Sequence, residues 1–238
     1  MSIVGISLTI ATCSGGSGSE PSEVTSFHYT QTATFTRGYD TYHLQIEGFY
    51  VAPDSVHVVS EDANPFLEII VTGQDAWIRD ASGWSAVPLE YVQALAFVNS
   101  NAILHLRGDQ DFRDEGQGPI VDGEPTRRYL LDDSESVRAK GFELMSRTSP
   151  ECAKVVESLV PLAEGRESME IVRGQDSKLI YTVTRTHTGI NSSSRSVIEV
   201  DDYNGRVSIE RPEGVLKKRE PTFPDRVCSY RERSTLDE

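Results

Sequence analysis

The stretch that decides the fold is residues 39–87, which begins with the string YDTYHLQIEGFY. In this string Tyr42, Leu44 and Ile46 alternate with polar side chains, which is the period-two pattern of a strand with one buried face and one wet face. Short turns separate the strand patterns that follow, at residues 53–54, 64–65, 73–75 and 81–83. Connections this short favour antiparallel neighbours, because a parallel crossover needs about a dozen residues or more. The stretch therefore predicts an antiparallel meander.

Further strand patterns lie near both ends of the chain, and helical spacing lies between them. We expect strands at residues 24–36, 168–173, 178–187, 195–202 and 206–210. Helical spacing begins at Leu89 and is interrupted by Asn99-Ser100-Asn101, with a second short piece over 102–107. A hairpin around Asp122-Gly123 follows, and two helices between Ser134 and Gly165 meet near Pro150. The simplest arrangement is an α+β fold, in which both ends build one antiparallel sheet and the central helices pack on one face.

The charge balance excludes one large class of partner. The 238 residues carry 23 basic and 37 acidic side chains, a net charge of −14. Nucleic-acid binding draws most of its affinity from a basic surface, so we expect no nucleic-acid partner. The same charge opposes adhesion to anionic lipid head groups, so any membrane attachment should depend on an anchor.

The N-terminal segment, residues 1–23, contains an apolar stretch, a cysteine and a Gly/Ser-rich spacer in the order expected of a signal and lipid-anchor segment followed by a tether. An apolar stretch over Ile3–Thr12 is too short to span a bilayer and ends at Cys13. Ile10–Cys13 resembles the lipobox of bacterial lipoproteins, in which the cysteine is lipidated, and a Gly/Ser-rich spacer follows it. We expect Cys13 to be the lipid attachment site and residues 24–238 to form one domain with a surface C-terminal tail. A truncated N-terminus with a chance cysteine is the alternative.

The other two cysteines are candidates for a disulfide. With Cys13 modified, Cys152 and Cys228 remain as one possible pair, which would require an oxidising compartment. Three unrelated thiols are the alternative, since sequence alone does not bring two cysteines together.

Three hairpin-like segments resemble one family of proteins. They are GFYVAPD at residues 48–54, VDGEPTRRY at 121–129 and VDDYNGRVSIERP at 200–212. In this order, after a lipobox-like start, they resemble the LppX/LprG-like bacterial lipoproteins of the LolA/LolB-like superfamily, over about residues 24–212. The resemblance implies a strongly curved antiparallel sheet, a half-barrel, with helices packed on its concave face. It also implies an apolar space for acyl chains between the sheet and the helices. The protein itself would be anchored on the outer face of the cytoplasmic membrane or in the cell envelope.

No catalytic motif stands out. The sequence has no G-x-S-x-G elbow, H-E-x-x-H, P-loop or G-x-G-x-x-G. The acidic residues Asp109, Asp111, Asp114 and Glu115 lack the spacing of a calcium loop, and Asp132-Asp133 suits helix capping better than acid–base chemistry. His28, His43 and His57 fall opposite the apolar strand positions, on an expected solvated face. We therefore expect no enzyme, no metal site and no cofactor.

The apolar residues give the candidate ligand site instead. The candidate lining of a hydrophobic cavity is Phe27, Tyr29, Phe35, Leu44, Ile46, Val56 and Val58 from the sheet, and Val92, Leu95, Val155, Val156, Leu159 and Leu162 from the helices. Each of these could instead close an ordinary core, because apolar periodicity marks burial and not occupancy. Trp77 and Trp84 could seal the mouth of the cavity or cap a sheet edge.

Two functions remain open on these grounds. The first is a lipid-anchored monomer that binds or shuttles a lipid or another hydrophobic molecule. The second is a module of the same fold that senses or binds an envelope protein and carries no lipid.

Overall fold

The computed structural model describes residues 23–60, 67–107, 110–150, 153 and 165–215. Within these residues the chain forms eleven strands and two helices. Their bounds are β1 Ser26–Arg37, β2 Asp40–Val51, β3 Ser55–Ser60, β4 Leu67–Thr72, β5 Asp75–Asp80, β6 Gly83–Val87, α1 Leu89–Leu106, β7 Arg113–Val121, β8 Glu124–Leu131, α2 Ser134–Thr148, β9 Gly165–Gly174, β10 Ile180–Gly189 and β11 Ser192–Asp201.

All eleven strands belong to one antiparallel sheet. Their order is β6-β5-β4-β3-β2-β1-β11-β10-β9-β8-β7, so the first and last strands pair at its centre. The helices α1 and α2 pack on one face of this sheet. The expected fold class is confirmed, an open half-barrel with helices on its concave face. Among the described residues, neither helix is long and apolar enough to cross a membrane.

The central strand β1 shows how alternation assigns the two faces. Phe27 and Tyr29 point to the concave side and are fully buried, while the threonines at 30, 32, 34 and 36 take the convex side, as predicted. Gly48 lies opposite Tyr29 on β2, and a Cβ at Gly48 would overlap the tyrosine ring. The glycine therefore makes room for Tyr29, the largest fully buried side chain among the described residues.

The predicted break in the first helix is wrong, because α1 runs without interruption through Asn99-Ser100-Asn101. The amide of Asn99 donates to Gln31 Oε1 on β1 at 2.8 Å, and the amide of Asn101 donates to Thr148 Oγ1 on α2 at 2.9 Å. These polar side chains hold the helix to its neighbours. Composition marks such residues as helix breakers, and tertiary hydrogen bonds override that tendency here.

The helix α1 joins two parts of the core. Val92 and Ala96 in its first half pack with β3, β4, β5 and β6. Ile103 and Leu106 in its second half pack with β1, β2, β8–β11 and α2. One continuous helix thus supports both halves of the curved sheet.

The second helix begins at a capping aspartate, as the sequence predicted. The Asp133 side chain accepts a hydrogen bond from the Ser136 N–H at 2.8 Å. Its neighbour Asp132 instead pairs with Arg113 at 3.2 Å.

The predicted strand over residues 206–210 is wrong, because this segment has no strand partner. The preceding turn fastens the sheet instead. Asn204 Oδ1 accepts from the Thr25 N–H at 2.7 Å, and the hydroxyl of the partly buried Tyr203 donates to Ile180 O at 2.5 Å. Arg211 then lies over the Trp77 ring, 5.7 Å from its centroid. The motif at residues 200–212 is therefore not a hairpin. Its turn binds the residue that precedes β1 and the start of β10 through hydrogen bonds.

Candidate functional site

The structure divides the predicted cavity residues into three groups. Those buried in the core are Phe27, Tyr29, Val56, Val58 and Val92. Those partly or half exposed are Phe35, Leu44, Ile46 and Leu95. Those that lie outside the described residues are Val155, Val156, Leu159 and Leu162, and the cysteines Cys13, Cys152 and Cys228 lie outside them as well.

Two of the exposed or partly exposed residues, Phe35 and Leu44, lie near one end of the concave face. The β1–β2 and β10–β11 turns meet there, and the Gly38 N–H donates to Asn191 O at 2.9 Å. We call the concave side chains at the level of the Phe35–Tyr42 and Ala33–Leu44 registers, just inside the Arg37–Asp40 pair that closes the β1–β2 turn, the concave rim. It has an apolar half on β1 and β2, and a charged half formed by β9 and β10 together with Arg138 of α2.

The apolar half of the concave rim consists of Phe35, Tyr42 and Leu44. Phe35 and Tyr42 are directly opposite each other in the β1–β2 pair, and they are 44% and 61% exposed. The next register inward pairs Leu44, which is partly exposed, with the buried Ala33. The apolar surface thus continues from the closed core to an open aromatic pair on the same face.

The charged half of the concave rim is centred on Glu167 of β9. This carboxylate is only 6% exposed. Arg185 Nη2 lies 2.8 Å from Glu167 Oε2, while Arg138 Nε and His187 Nδ1 lie 3.6 and 3.8 Å from Oε1. A buried carboxylate needs such partners, because isolation from water without them would be costly.

A polar cleft of about 670 Å³ opens beside the rim, between the two turns. Its wall is formed by Arg37, Gly38, Asp40, Tyr42, Asn191 and Ser192. Tyr42 is shared between this cleft and the apolar half of the rim. The rim is therefore open to solvent from the end of the sheet.

Two histidines of the described chain lie beside carboxylates on the convex face. His28 lies between Asp201 and Glu47, at 2.6 and 3.0 Å, on the convex face. His57 contacts Glu68 at 2.8 Å on the same face. Within the described residues no group of three or more His, Cys, Asp or Glu side chains is placed to hold a metal ion.

The acidic segment before β8 also has basic partners. Asp111 contacts Lys140 at 2.7 Å, Asp114 contacts Arg127 at 2.8 Å, and Glu115 contacts Arg113 at 2.7 Å. Asp109, the fourth member, lies outside the described residues.

The two tryptophans do not lie at the rim. Ile70 on β4 is opposite both His57 on β3 and Trp77 on β5, so Trp77 lies on the same convex face as His57. Arg211 covers its ring there. Trp84 is opposite Arg79 on that face, and the Arg79 guanidinium lies 6.0 Å from its ring centroid.

Sequence reasoning missed Tyr42 and the whole charged half of the rim. Tyr42 had a signal, since it shares the alternation of Leu44 and Ile46. Glu167 and Arg185 had a weaker one, since they occupy the inward positions of β9 and β10 in place of apolar residues. That departure is visible only once the register of the two strands is known.

No protein-family model matches the chain, and no curated protein matches its sequence. Several solved structures are similar to it, and they include LprF from Mycobacterium bovis, with 12% identity, a TM-score of 0.43, and coverage of 80% of this chain and 90% of that one. A LolA superfamily protein from Nitrosomonas europaea has 10% identity and a TM-score of 0.33, over 77% of this chain and 87% of that one. The complex of MucA and MucB from Pseudomonas aeruginosa has 12% identity and a TM-score of 0.31, over 74% and 52%. At identities of 10–12% and TM-scores below 0.5, these similarities assign neither a family nor a function to this chain.

Proposed function

We propose that this protein binds a lipid or another hydrophobic molecule on the concave face of its sheet, with the apolar half of the concave rim as part of the binding surface. One observation carries the proposal, namely the exposed pair of Phe35 and Tyr42 on the same face as the buried core. Exposed aromatic side chains that adjoin one another and continue a core are typical of ligand grooves and interaction surfaces.

The binding energy would come from covering this surface. Full burial of a phenylalanine side chain contributes roughly 1.5–3 kcal/mol. Phe35 is a little under half exposed, so a ligand that covers it would gain about 1 kcal/mol from this side chain alone. Each methylene of an acyl chain buried against the rim would add about 0.8 kcal/mol.

The proposal also includes an extracytoplasmic place for the protein. Lipidation of Cys13 and a tether over residues 14–23 would hold the domain at the outer face of the cytoplasmic membrane or in the cell envelope, and a Cys152–Cys228 disulfide would fit that compartment. We propose a binding protein without catalytic activity.

Binding of the neutral fluorophore N-phenylnaphthylamine tests the ligand site. Phe35→Ser should weaken binding about fivefold, which corresponds to the loss of about 1 kcal/mol. The matched control is Ile120→Ser, because Ile120 is 70% exposed on the edge strand β7, away from the rim. Equal binding by wild type, Phe35→Ser and Ile120→Ser would contradict the proposed site. Absence of any binding would instead favour a protein partner at the rim.

A further inference from the structure

The charged half of the concave rim carries more positive than negative charge. Two guanidinium groups, Arg138 and Arg185, surround one carboxylate, Glu167. His187 contacts the same carboxylate and would add a further positive charge when protonated. Such a surplus is unexpected on the inner face of a protein with a net charge of −14.

Arg185 has hydrogen-bond donors to spare. A guanidinium has five N–H donors, and among the described residues Arg185 uses one nitrogen, Nη2, for Glu167. Its side chain is 45% exposed. Gly141 of α2 faces it, and a Cβ there would lie 3.3 Å from Arg185 Nη1. The buried carboxylate and the helix thus fix the position of a guanidinium that solvent can still reach.

The charged and apolar halves of the concave rim lie at the same level along the strands and are separated only in the direction across the sheet. Phe35 is in register with Ser194 on β11, and Ser194 is in register with His187 on β10. Two strand spacings, roughly 10 Å, therefore separate the aromatic pair from the charged half. The side chains between them are the small hydroxyls Ser194 and Ser196. This distance suits a molecule whose charged head directly adjoins its apolar chain.

We propose that the charged half of the concave rim binds the anionic head group, a phosphate or a carboxylate, of an amphiphile whose apolar part covers Phe35 and Tyr42. This inference rests on the proposed function and names the chemical class of its ligand. A guanidinium donates two parallel hydrogen bonds to a phosphate or carboxylate, which gives it a geometric preference for such groups. Glu167 positions Arg185 and Arg138, and the exposed guanidinium of Arg185 binds the head group.

Calorimetric titration of the full chain carrying Cys13→Ser tests the inference. The probes are lysophosphatidylglycerol, which is anionic, and lysophosphatidylcholine of the same acyl chain, which is zwitterionic, both below their micelle concentrations. Glycerol phosphate serves as the head group alone. We expect the anionic lysolipid to bind about tenfold more tightly than the zwitterionic one, the value of one charge-assisted hydrogen bond. Added salt should reduce that ratio.

Variants at the rim should move the preference in opposite directions. Arg185→Gln should abolish it, Arg185→Lys should keep part of it, and Glu167→Gln should increase it by leaving the guanidiniums less neutralised. Arg195→Gln is the matched control, because Arg195 is an exposed arginine on the convex face of β11. Thermal unfolding of each variant verifies that it is folded.

Three outcomes would overturn the inference in distinguishable ways. Equal affinity for both lysolipids, unchanged by Arg185→Gln, would refute the head-group site and leave the proposed function intact. Binding of neither lysolipid would refute the proposed function and the inference together. Binding of glycerol phosphate as tightly as the anionic lysolipid would refute the amphiphile and indicate a site for a free anion.

Discussion

The carboxylate of Glu124 fastens the β7–β8 hairpin to the β9–β10 turn, and its removal should be costly. Its Oε1 accepts from the N–H groups of Asp176 and Ser177 at 2.9 and 2.8 Å. Its Oε2 accepts from the hydroxyls of Ser177 and Tyr181 at 2.7 and 2.9 Å. Three of these bonds are part-buried, and the one from the Asp176 N–H is exposed. At about 1 kcal/mol net for each part-buried bond, Glu124→Ala should lower the free energy of unfolding by about 3 kcal/mol.

The isosteric change separates charge from shape. Glu124→Gln keeps one acceptor oxygen and the side-chain volume, and the two hydroxyls can rotate to accept from the amide. It should therefore cost only about 1–2 kcal/mol, the difference between charge-assisted and neutral hydrogen bonds. Urea denaturation at pH 7 measures both variants. Glu199→Gln, at an exposed glutamate on β11, is the control and should stay within about 0.5 kcal/mol of wild type.

The same contribution should depend on pH in a predictable direction. Burial raises the pKa of Glu124, but the hydrogen bonds from Ser177, Asp176 and Tyr181 outweigh it, so the pKa lies below its ordinary value. A carboxyl whose pKa is lower in the folded state stabilises the protein fully above its unfolded pKa, about 4.3, and loses that effect as the pH falls through the folded pKa. The difference between wild type and Glu124→Gln should shrink below about pH 4. A difference that is the same at pH 7 and pH 3, or a Glu124→Ala cost no larger than that of the control Glu199→Gln, would refute the reasoning.

Two further predictions concern the supports of the rim and the core. Gly48→Ala should lower the free energy of unfolding by about 1–3 kcal/mol, because the new Cβ overlaps the Tyr29 ring. The cost should be smaller in a Tyr29→Val background, and an equal cost in both backgrounds under urea denaturation would contradict the clash. Asp133→Ala should lower the melting temperature at pH 7 by removing the cap of α2. The decrease should be smaller at acid pH, because hydrogen bonds donated by Ser136 lower the pKa of Asp133 and the carboxyl loses this stabilising effect as it becomes protonated. Thermal unfolding at the two pH values measures this, and an unchanged melting temperature at pH 7 would contradict it.

The sheet was largely predictable because its signals are local. Alternation in β1 and β2, the short turns between β2 and β6, and the Asp122-Gly123 hairpin each act within a few residues. The positive φ values of Asp122 and Gly123, 51° and 81°, are those that a two-residue hairpin turn demands. The pairing of β1 with β11 had no local signal. It was predicted only in general terms, because strands from both ends of the chain were expected to share one sheet.

The errors have a different origin, because they depend on partners distant in sequence. Asn99 and Asn101 continue a helix since Gln31 and Thr148 accept their hydrogen bonds. Residues 206–210 alternate like a strand, but Asn204 is already bound to the start of β1 and the chain turns over the convex face. No pattern within either segment contains that information.

The candidate site shows the same division. Apolar alternation placed Phe35, Leu44, Phe27 and Val56 on the same predicted face. Only their exposure in the structure distinguishes Phe35 and Leu44, which solvent reaches, from the core residues Phe27 and Val56. The charged half of the rim depends on the registers of β9, β10 and β11, which place Glu167 and the apolar pair on one face.

Native mass spectrometry of the full chain carrying Cys13→Ser, followed by solvent extraction of the purified protein, tests the central claim most directly. Without the thiol at position 13, any lipid that accompanies the chain is bound non-covalently. We predict one hydrophobic molecule per chain, retained by Ile120→Ser and lost from the folded double variant Phe35→Asp/Tyr42→Asp. A ligand-free mass for the wild-type chain, with no uptake of added phospholipid or glycolipid, would contradict the claim.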